Sequence, residues 1–298
     1  MQINQLAPVV LFVYNRPQHT KLTIESLKAN ELSKDSVLYI FADGPKPNAS
    51  KEDKINIEQT RALIRATSGF RKVIILEKEI NQGLAQSIIS GVTEIIEQYG
   101  KLIVLEDDLL VSPHFLNFMN EGLELYESAA NIYSINGFMF QLTHNRSKDV
   151  VLLPYTSTWG WATWKSKWSA FSSEMKDKVY LKSNPFLKNR FNLGDYHYTD
   201  MLEFGNNAWG IKWYYSVFIR NGLNVFPSQS LVKNIGFDGT GTNGGNSGEP
   251  EAQFKKSKPI VTFEEQLDLS FFDAFIRHFK KENISLLRRI INLFRKAR

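Results

Sequence analysis

The sequence predicts an α/β fold: a mostly parallel sheet covered by helices on both faces, followed by a less regular half and an amphipathic C-terminal helix. Three observations predict it. Short, almost wholly apolar runs recur through the first half, as expected of strands buried on both sides. Segments of helical period separate them. Polar, chemistry-bearing residues stand immediately after the runs, at what would be the carboxyl ends of the strands.

The runs are Val9–Tyr14, Val37–Ala42, Lys72–Leu76, Leu102–Leu105 and Ile132–Ile135. Between them, Leu84, Ile88, Val92, Ile95, Ile96 and Tyr99 keep one helical face apolar. Ser50 with Asp53 three residues on reads as a helix cap, and Ser112–Pro113 reads as a helix start. After about Gln141 the regularity fades. Thr156–Phe171 is crowded with aromatics, Lys178–Asn207 is polar, Trp209–Asn221 looks helical and Asp238–Pro250 is a glycine-rich loop. Leu267–Arg298 carries an amphipathic helical pattern. The expected organisation is a ligand-binding half (1–140), a second half completing the same catalytic domain (141–265) and a basic amphipathic helix (266–298).

The 298 residues suit one large domain or two small ones, and a 43% hydrophobic, 13% aromatic composition can fill a core. With no cysteine, disulfides and thiolate metal sites are excluded. No apolar run approaches the length of a membrane span and the first residues do not form a signal peptide, so a cytosolic location is expected. The net charge of +5 is concentrated at the C-terminal end, at Arg277, Lys280, Lys281, Arg288, Arg289, Arg295, Lys296 and Arg298. That asymmetry suggests an anionic surface as partner. Nucleic acid is not expected, since no such motif accompanies the basic end.

The strongest chemical signal is Glu106-Asp107-Asp108 after the fourth run. Three acids at a strand end repel one another unless a cation is bound. Mg²⁺ or Mn²⁺, which keeps waters and bridges to phosphates, is the natural partner; an ordinary solvated turn is the competing explanation. Asp43-Gly44-Pro45 ends the second run, where a ligand could touch it, but taken alone the sequence is better explained as a plain turn. Asn15-Arg16-Pro17 follows the first, with an arginine placed to meet a phosphate. Asn81-Gln82-Gly83-Leu84 opens the best helix, where backbone amides suit an anion. One binding edge explains all four clusters together.

In that order, strand–N-R-P, strand–A-D-G, N-x-G-L-A and strand–E-D-D, the sequence resembles the nucleotide-sugar transferases of the GT-A (Rossmann-like) fold. V-L-E-D-D-L-x-x-S-P-H-F followed by W-G-W-A-T-W is similar to bacterial surface-polysaccharide glycosyltransferases. It is more distantly similar to the Golgi N-acetylglucosaminyltransferase that starts complex N-glycans. The resemblance spans roughly residues 8 to 245.

The resemblance implies a nucleotide-sugar donor, with uridine the usual base, and a glycan or lipid-linked acceptor. It implies Asp108 as direct ligand of Mn²⁺ or Mg²⁺, Glu106 supporting the metal shell through water, and Asp107 touching the donor ribose or sugar. Asp43 would read the base, beside Gly44. Asn15 and Arg16 would hold base and ribose, and Asn81, Gly83 and Leu84 would pack over the nucleoside. Trp159 or Trp161 would be an acceptor platform, with at least one of the tryptophans in the core.

The pattern departs from the Golgi relative at the general base. Trp209-Gly210-Ile211-Lys212-Trp213 has no acid where that enzyme has one. Glu203, then Asp200, are the nearest candidates upstream; a retaining enzyme would need neither. Asn243 stands where related enzymes often have histidine, in Gly236–Asn243, a segment expected to act as a lid. A sugar-nucleotide pyrophosphorylase is disfavoured because N-R-P-Q-H replaces its glycine-rich loop. A non-catalytic nucleotide- or carbohydrate-binding module of the same fold remains the alternative. The histidines show no metal-ligand spacing. The segment Leu286–Arg298 is expected to bind a membrane surface.

Overall fold

A computed structural model describes residues 5–144, 148–203, 209–238, 254–255 and 257–280. Its centre is an eight-stranded sheet in the order β3-β2-β1-β4-β8-β6-β9-β7. These are β1 (Val9–Val13), β2 (Val37–Ala42), β3 (Lys72–Glu77), β4 (Lys101–Glu106), β6 (Ile132–Asn136), β7 (Val150–Leu153), β8 (Trp161–Trp164) and β9 (Leu223–Pro227). A separate antiparallel ribbon joins β5 (Leu109–Val111) to β10 (Val232–Asn234).

The five sequence-predicted runs are β1, β2, β3, β4 and β6, each matched to within a residue or two. β1 to β4 are mutually parallel. β8 lies antiparallel between β4 and β6, so β6 regains the direction of β4, and β9 runs parallel to β6. Only β7 and β8 oppose the rest, which makes this a mostly parallel α/β sheet of Rossmann type. β3 departs from the expectation of full burial: as the edge strand it is half-buried along its length.

Alternation along the inner strands builds two layers. Val9, Leu11, Val13, Ile103 and Leu105 point into one layer, with Ile24 and Leu27 of α1 (Pro17–Lys28), Ile64 of α2 (Lys51–Arg65) and Phe115 to Leu123 of α4 (Phe115–Leu125). Val10, Phe12, Leu102 and Val104 point into the other, against Ile88, Val92 and Ile95 of α3 (Leu84–Tyr99). α2 starts at the capping box expected from Ser50 and Asp53. α4 starts at Phe115 instead of Pro113, because the carbonyl of Ser112 accepts from the Phe115 amide and forms a turn first.

The second half packs as continuations of this sheet. The tryptophan-rich segment is β8, running into α5 (Lys165–Trp168). α9 (Trp209–Phe218) places Trp209 and Trp213 against Trp161 and Trp168. A third cluster joins Tyr155, Leu181 of α6 (Lys178–Ser183), Phe191 of α7 (Pro185–Phe191) and Tyr198 of α8 (Tyr198–Met201) to α10 (Leu269–His278). α10 is anchored by Phe271, Ala274 and Phe275, so the first part of the C-terminal pattern belongs to the fold and is not a separate unit. The segment Leu286–Arg298 lies outside the described residues.

Phe275 has no solvent exposure and meets Tyr155, Phe140 and Phe279. Its truncation removes a large ring from a close-packed site. Phe275→Ala is expected to lower unfolding stability by roughly 3 to 5 kcal/mol, measured by urea denaturation. A loss within the range of surface substitutions would show that α10 is not part of the cooperative core.

Candidate functional site at the switch between β1 and β4

The chain runs outward from β1 through β2 to β3, then crosses back to place β4 on the other side of β1. A parallel sheet opens a crevice at the carboxyl ends of two strands where the order reverses in this way. Arg16 follows β1 and Asp107-Asp108 follow β4, so the two sides of this crevice carry opposite charge.

Local structure fixes both sides. Pro17 at the first helical position starts α1, with Arg16 in the preceding capping place. The Thr23 hydroxyl, further along α1, donates to the backbone carbonyl of Asp107 (2.8 Å). On the other side the Ile235 amide donates to the carbonyl of Asp108 (2.9 Å), which ties the segment after β10 to the same turn. Between them the Arg16 guanidinium donates to both carboxylates, to Asp107 and at 2.9 Å to Asp108.

The electrostatics are unbalanced. Burial opposes the charge on Arg16, but Asp107 and Asp108 outweigh it and keep the guanidinium protonated. Loss of hydration, reinforced by Asp108 and Asp107, pushes the Glu106 carboxyl up to about 8. Burial also raises Asp107, against the pull of Arg16. Burial and the neighbouring carboxylates thus favour the protonated form of Glu106, while Arg16 opposes that effect at Asp107.

Among the described residues no three Asp, Glu, His or Cys side chains converge as a ready-made metal cage. The residues nonetheless fit the kind of site Mg²⁺ or Mn²⁺ uses with phosphorylated ligands, in which one or two carboxylates suffice and water and phosphate complete the shell. Asp108, half-buried beside Arg16, would hold the ion, with Glu106 two residues before it in the chain.

The neighbouring strand end is built around Asp43. One oxygen accepts from the amides of Gly44 and Gln82 (both 2.9 Å), the other from Gly83 (3.0 Å). Asn81 donates to the Gly44 carbonyl (3.0 Å). Asp43 therefore holds together the two loops expected to embrace a nucleoside, leaving Leu84 exposed at their rim. A Cβ on Gly44 would lie 2.5 Å from the Ile80 backbone, so only glycine permits this approach. Asn15 donates to Asp53 (2.8 Å), which joins the β1 loop to the cap of α2.

The opposite wall comes from the second half. Gly236 sits directly over the Asp108 carboxylate, and a Cβ there would run into it and come within 3.2 Å of Arg16. Phe237 packs edge-on to Trp159, which packs in turn on Phe138. His19 meets Asp238 at 3.2 Å and lies close enough to influence Asp107. His19 had no expected role; its position three residues beyond Arg16, one helical turn along, was the available signal. The residues beyond Asp238 that were expected to form a lid, Asn243 included, lie outside the described residues.

Three expectations are corrected. Trp161 is fully buried among Trp168, Trp209 and Trp213 and cannot stack on an acceptor; half-buried Trp159 keeps that possibility. Glu203 is an exposed acid held by Lys182 (2.7 Å) and Lys178 (3.5 Å), which lower its pKa, the reverse of what a base working near neutrality needs. Asp200 lies on α8, where its charge acts on buried Tyr196 in the third cluster. Neither acid is among the groups whose charge acts on Glu106 or Asp107.

No protein-family profile matches the chain, and no curated protein sequence does. Among solved structures, the mannosyltransferase PcManGT from Pyrobaculum calidifontis, in complex with GDP-Man and Mn²⁺, is similar at 7% identity and a TM-score of 0.36. The match covers 55% of this chain and 46% of that one. TarS of S. aureus is similar at 9% identity and a TM-score of 0.37, over 76% of this chain and 36% of that one. The chain thus spans less than half the length of either, and at these scores neither says what it binds.

A carboxyl whose pKa rises on folding destabilises the native state as it ionises, because the folded chain then binds more protons than the unfolded one. Stability of the metal-free protein is therefore expected to fall as pH rises from the ordinary carboxylate range to about 8, the value to which Glu106 is pushed. Glu106→Gln should flatten that fall, read from urea midpoints at pH 5.5 and 8.5. An unchanged slope in the variant would show that Glu106 does not carry the surplus charge.

Proposed function

We propose that this protein is a metal-dependent glycosyltransferase that takes a sugar from a nucleotide-sugar donor, with uridine the favoured base. The observation that carries this reading is the charged crevice at the β1–β4 switch, where Arg16 faces Asp107 and Asp108 with Glu106 behind them. It is an edge that suits a ligand carrying both phosphate oxygens and a metal.

In this reading the loops organised by Asp43 hold the nucleoside, with Leu84 packing on it. Arg16, already placed between the carboxylates, turns to the diphosphate as the donor enters and offers it a forked donor pair. Asp108 would hold a divalent ion, which would neutralise the charge of a nucleoside diphosphate leaving group. Asp107 accepts from the ribose or sugar hydroxyls. Trp159, supported by Phe138 and Phe237, offers the acceptor sugar an apolar face. The Gly236–Asp238 segment closes over Asp108 and excludes water.

The acceptor we infer is a glycan or a lipid-linked glycan, in the synthesis of a surface polysaccharide on the cytosolic side of a membrane. No helix among the described residues is long and apolar enough to cross one. A second reading, a nucleotide- or carbohydrate-binding module without catalysis, is favoured by one observation: neither Glu203 nor Asp200 joins the site. Slow hydrolysis of the donor sugar in the absence of acceptor separates enzyme from module.

The direct test is a thermal-shift screen of UDP, GDP, CDP and dTDP, each with and without Mn²⁺. One nucleotide is expected to stabilise the wild type only with metal and to leave Asp108→Ala unmoved, while that variant keeps its own folding transition. No shift with any nucleotide would sink the donor-site reading. Gly236→Ala, which forces a methyl against Asp108, is expected to weaken the same nucleotide at least tenfold, an energy of about 1.4 kcal/mol. Unaltered affinity would show that the segment after β10 does not border the site.

A further inference from the structure

The carboxyl ends of β1 and β2 stand side by side, with Val13 paired to Ala42, so Asn15 and Gly44 each lie two residues beyond the same rung. Asp43 is at that point too, but three backbone amides already donate to its carboxylate and only 8% of its surface is exposed. Arg16 is engaged by Asp107 and Asp108. Asn15, half-buried at the same edge, keeps hydrogen-bonding capacity to spare.

Its orientation is fixed from α2. Asn15 Nδ2 donates to Asp53 Oδ1 at 2.8 Å. The other oxygen of Asp53 closes the cap of α2, accepting from the Ser50 amide (3.3 Å) and the Ser50 hydroxyl (2.9 Å). These bonds from Ser50 and Asn15 hold the Asp53 carboxyl below the usual carboxylate range, so at neutral pH it is an ion that only accepts. A side-chain amide carries an oxygen at one corner and an NH₂ at the other, and only the NH₂ can face such an ion. Asn15 Oδ1 is therefore turned away from Asp53, and among the described residues no donor reaches it. The order of acceptor and donor along the free edge of Asn15 is thus set by a residue on another element.

Uridine and cytidine diphosphates share ring size, sugar and phosphates. They differ along one edge of the base: N3 carries a hydrogen in uracil and a lone pair in cytosine, beside a carbonyl in the first and an amino group in the second. An amide oxygen of fixed orientation accepts from the N3–H of uracil and meets a lone pair in cytosine. A polar group that the wrong analogue leaves unpaired is what separates close substrates most strongly.

Building on the donor-site reading of this crevice, we propose that Asn15 selects the base of the nucleotide, accepting from the N3–H of a uracil-type ring and rejecting cytosine, and that Asp53 is the positioning residue that fixes its polarity. Asp43 then serves the loops, and the discrimination lies one strand away from it.

The test is the ratio of affinities for UDP and CDP, measured on the full-length protein by isothermal titration calorimetry with Mn²⁺ present. Wild type is expected to favour UDP by roughly tenfold or more. In Asp53→Asn the substituted amide keeps an oxygen for Ser50, so α2 keeps its cap, while its NH₂ faces Asn15 and turns that amide over. The preference for UDP should then collapse or reverse. Asn15→Ala, which leaves the capping box intact, should bind the two nucleotides with similar affinity. A merely structural role for Asp53 would weaken both nucleotides together and leave the ratio alone. An unchanged ratio in both variants, with UDP still bound, would overturn the assignment to Asn15 and leave the donor site standing. So would a wild type that prefers CDP. A wild type that binds no nucleotide would remove the donor site itself, and base selection with it.

Discussion

The contact between Arg16 and the paired carboxylates of Asp107 and Asp108 is the constraint around which the rest of this molecule is arranged. It joins the ends of β1 and β4, the two strands between which the sheet reverses its order. Uncompensated charges in such a place are costly, and removing one member of a buried pair typically costs roughly 3 to 5 kcal/mol. The fold surrounds the contact with its own supports: Thr23 on the carbonyl of Asp107, the Ile235 amide on that of Asp108, and Gly236 where no side chain fits. The pair is incompletely balanced, since Glu106 adds a third carboxyl. In the proposed function that residual negative charge is what a cation would offset, and the guanidinium is what a phosphate would meet.

The second half of the chain completes this edge without forming a separate body. β8 slips between β4 and β6 in the opposite direction, so its start, preceded by Trp159 and Gly160, lies at the same edge as the ends of the parallel strands. The β5–β10 ribbon then returns the chain to Asp108. The wall formed by Trp159 and Phe237 is thereby held by backbone pairing to the strands that carry Arg16 and Asp108.

Much of this was legible in the sequence. The parallel strands were visible because burial on both faces leaves uninterrupted apolar runs, and the polar groups after them marked the edge. The capping box of α2 was legible because it depends on two residues three apart. β8 was not, because Trp161–Trp164 alternates nothing that marks a strand, and its place between β4 and β6 is a tertiary fact. The positions of individual residues followed the same division. Arg16 and Asp108 stood out by type and position. Trp161 was obscured because tryptophan suits a core as well as a sugar platform, and four of them close on one another here. Glu203 looked available until Lys178 and Lys182, on a helix the sequence did not reveal, were seen to hold it. His19 joins the site through Asp238, more than two hundred residues away.

The central claim is that this crevice assembles a metal and a diphosphate on Asp108 opposite Arg16. Crystals grown with UDP and Mn²⁺, measured at the manganese absorption edge, address it most directly. The expected anomalous map has one strong peak within bonding distance of an Asp108 oxygen, with diphosphate density on its far side and the Arg16 guanidinium turned toward the phosphates. Bound nucleotide with no peak at Asp108 and Arg16 still on both carboxylates would contradict the claim.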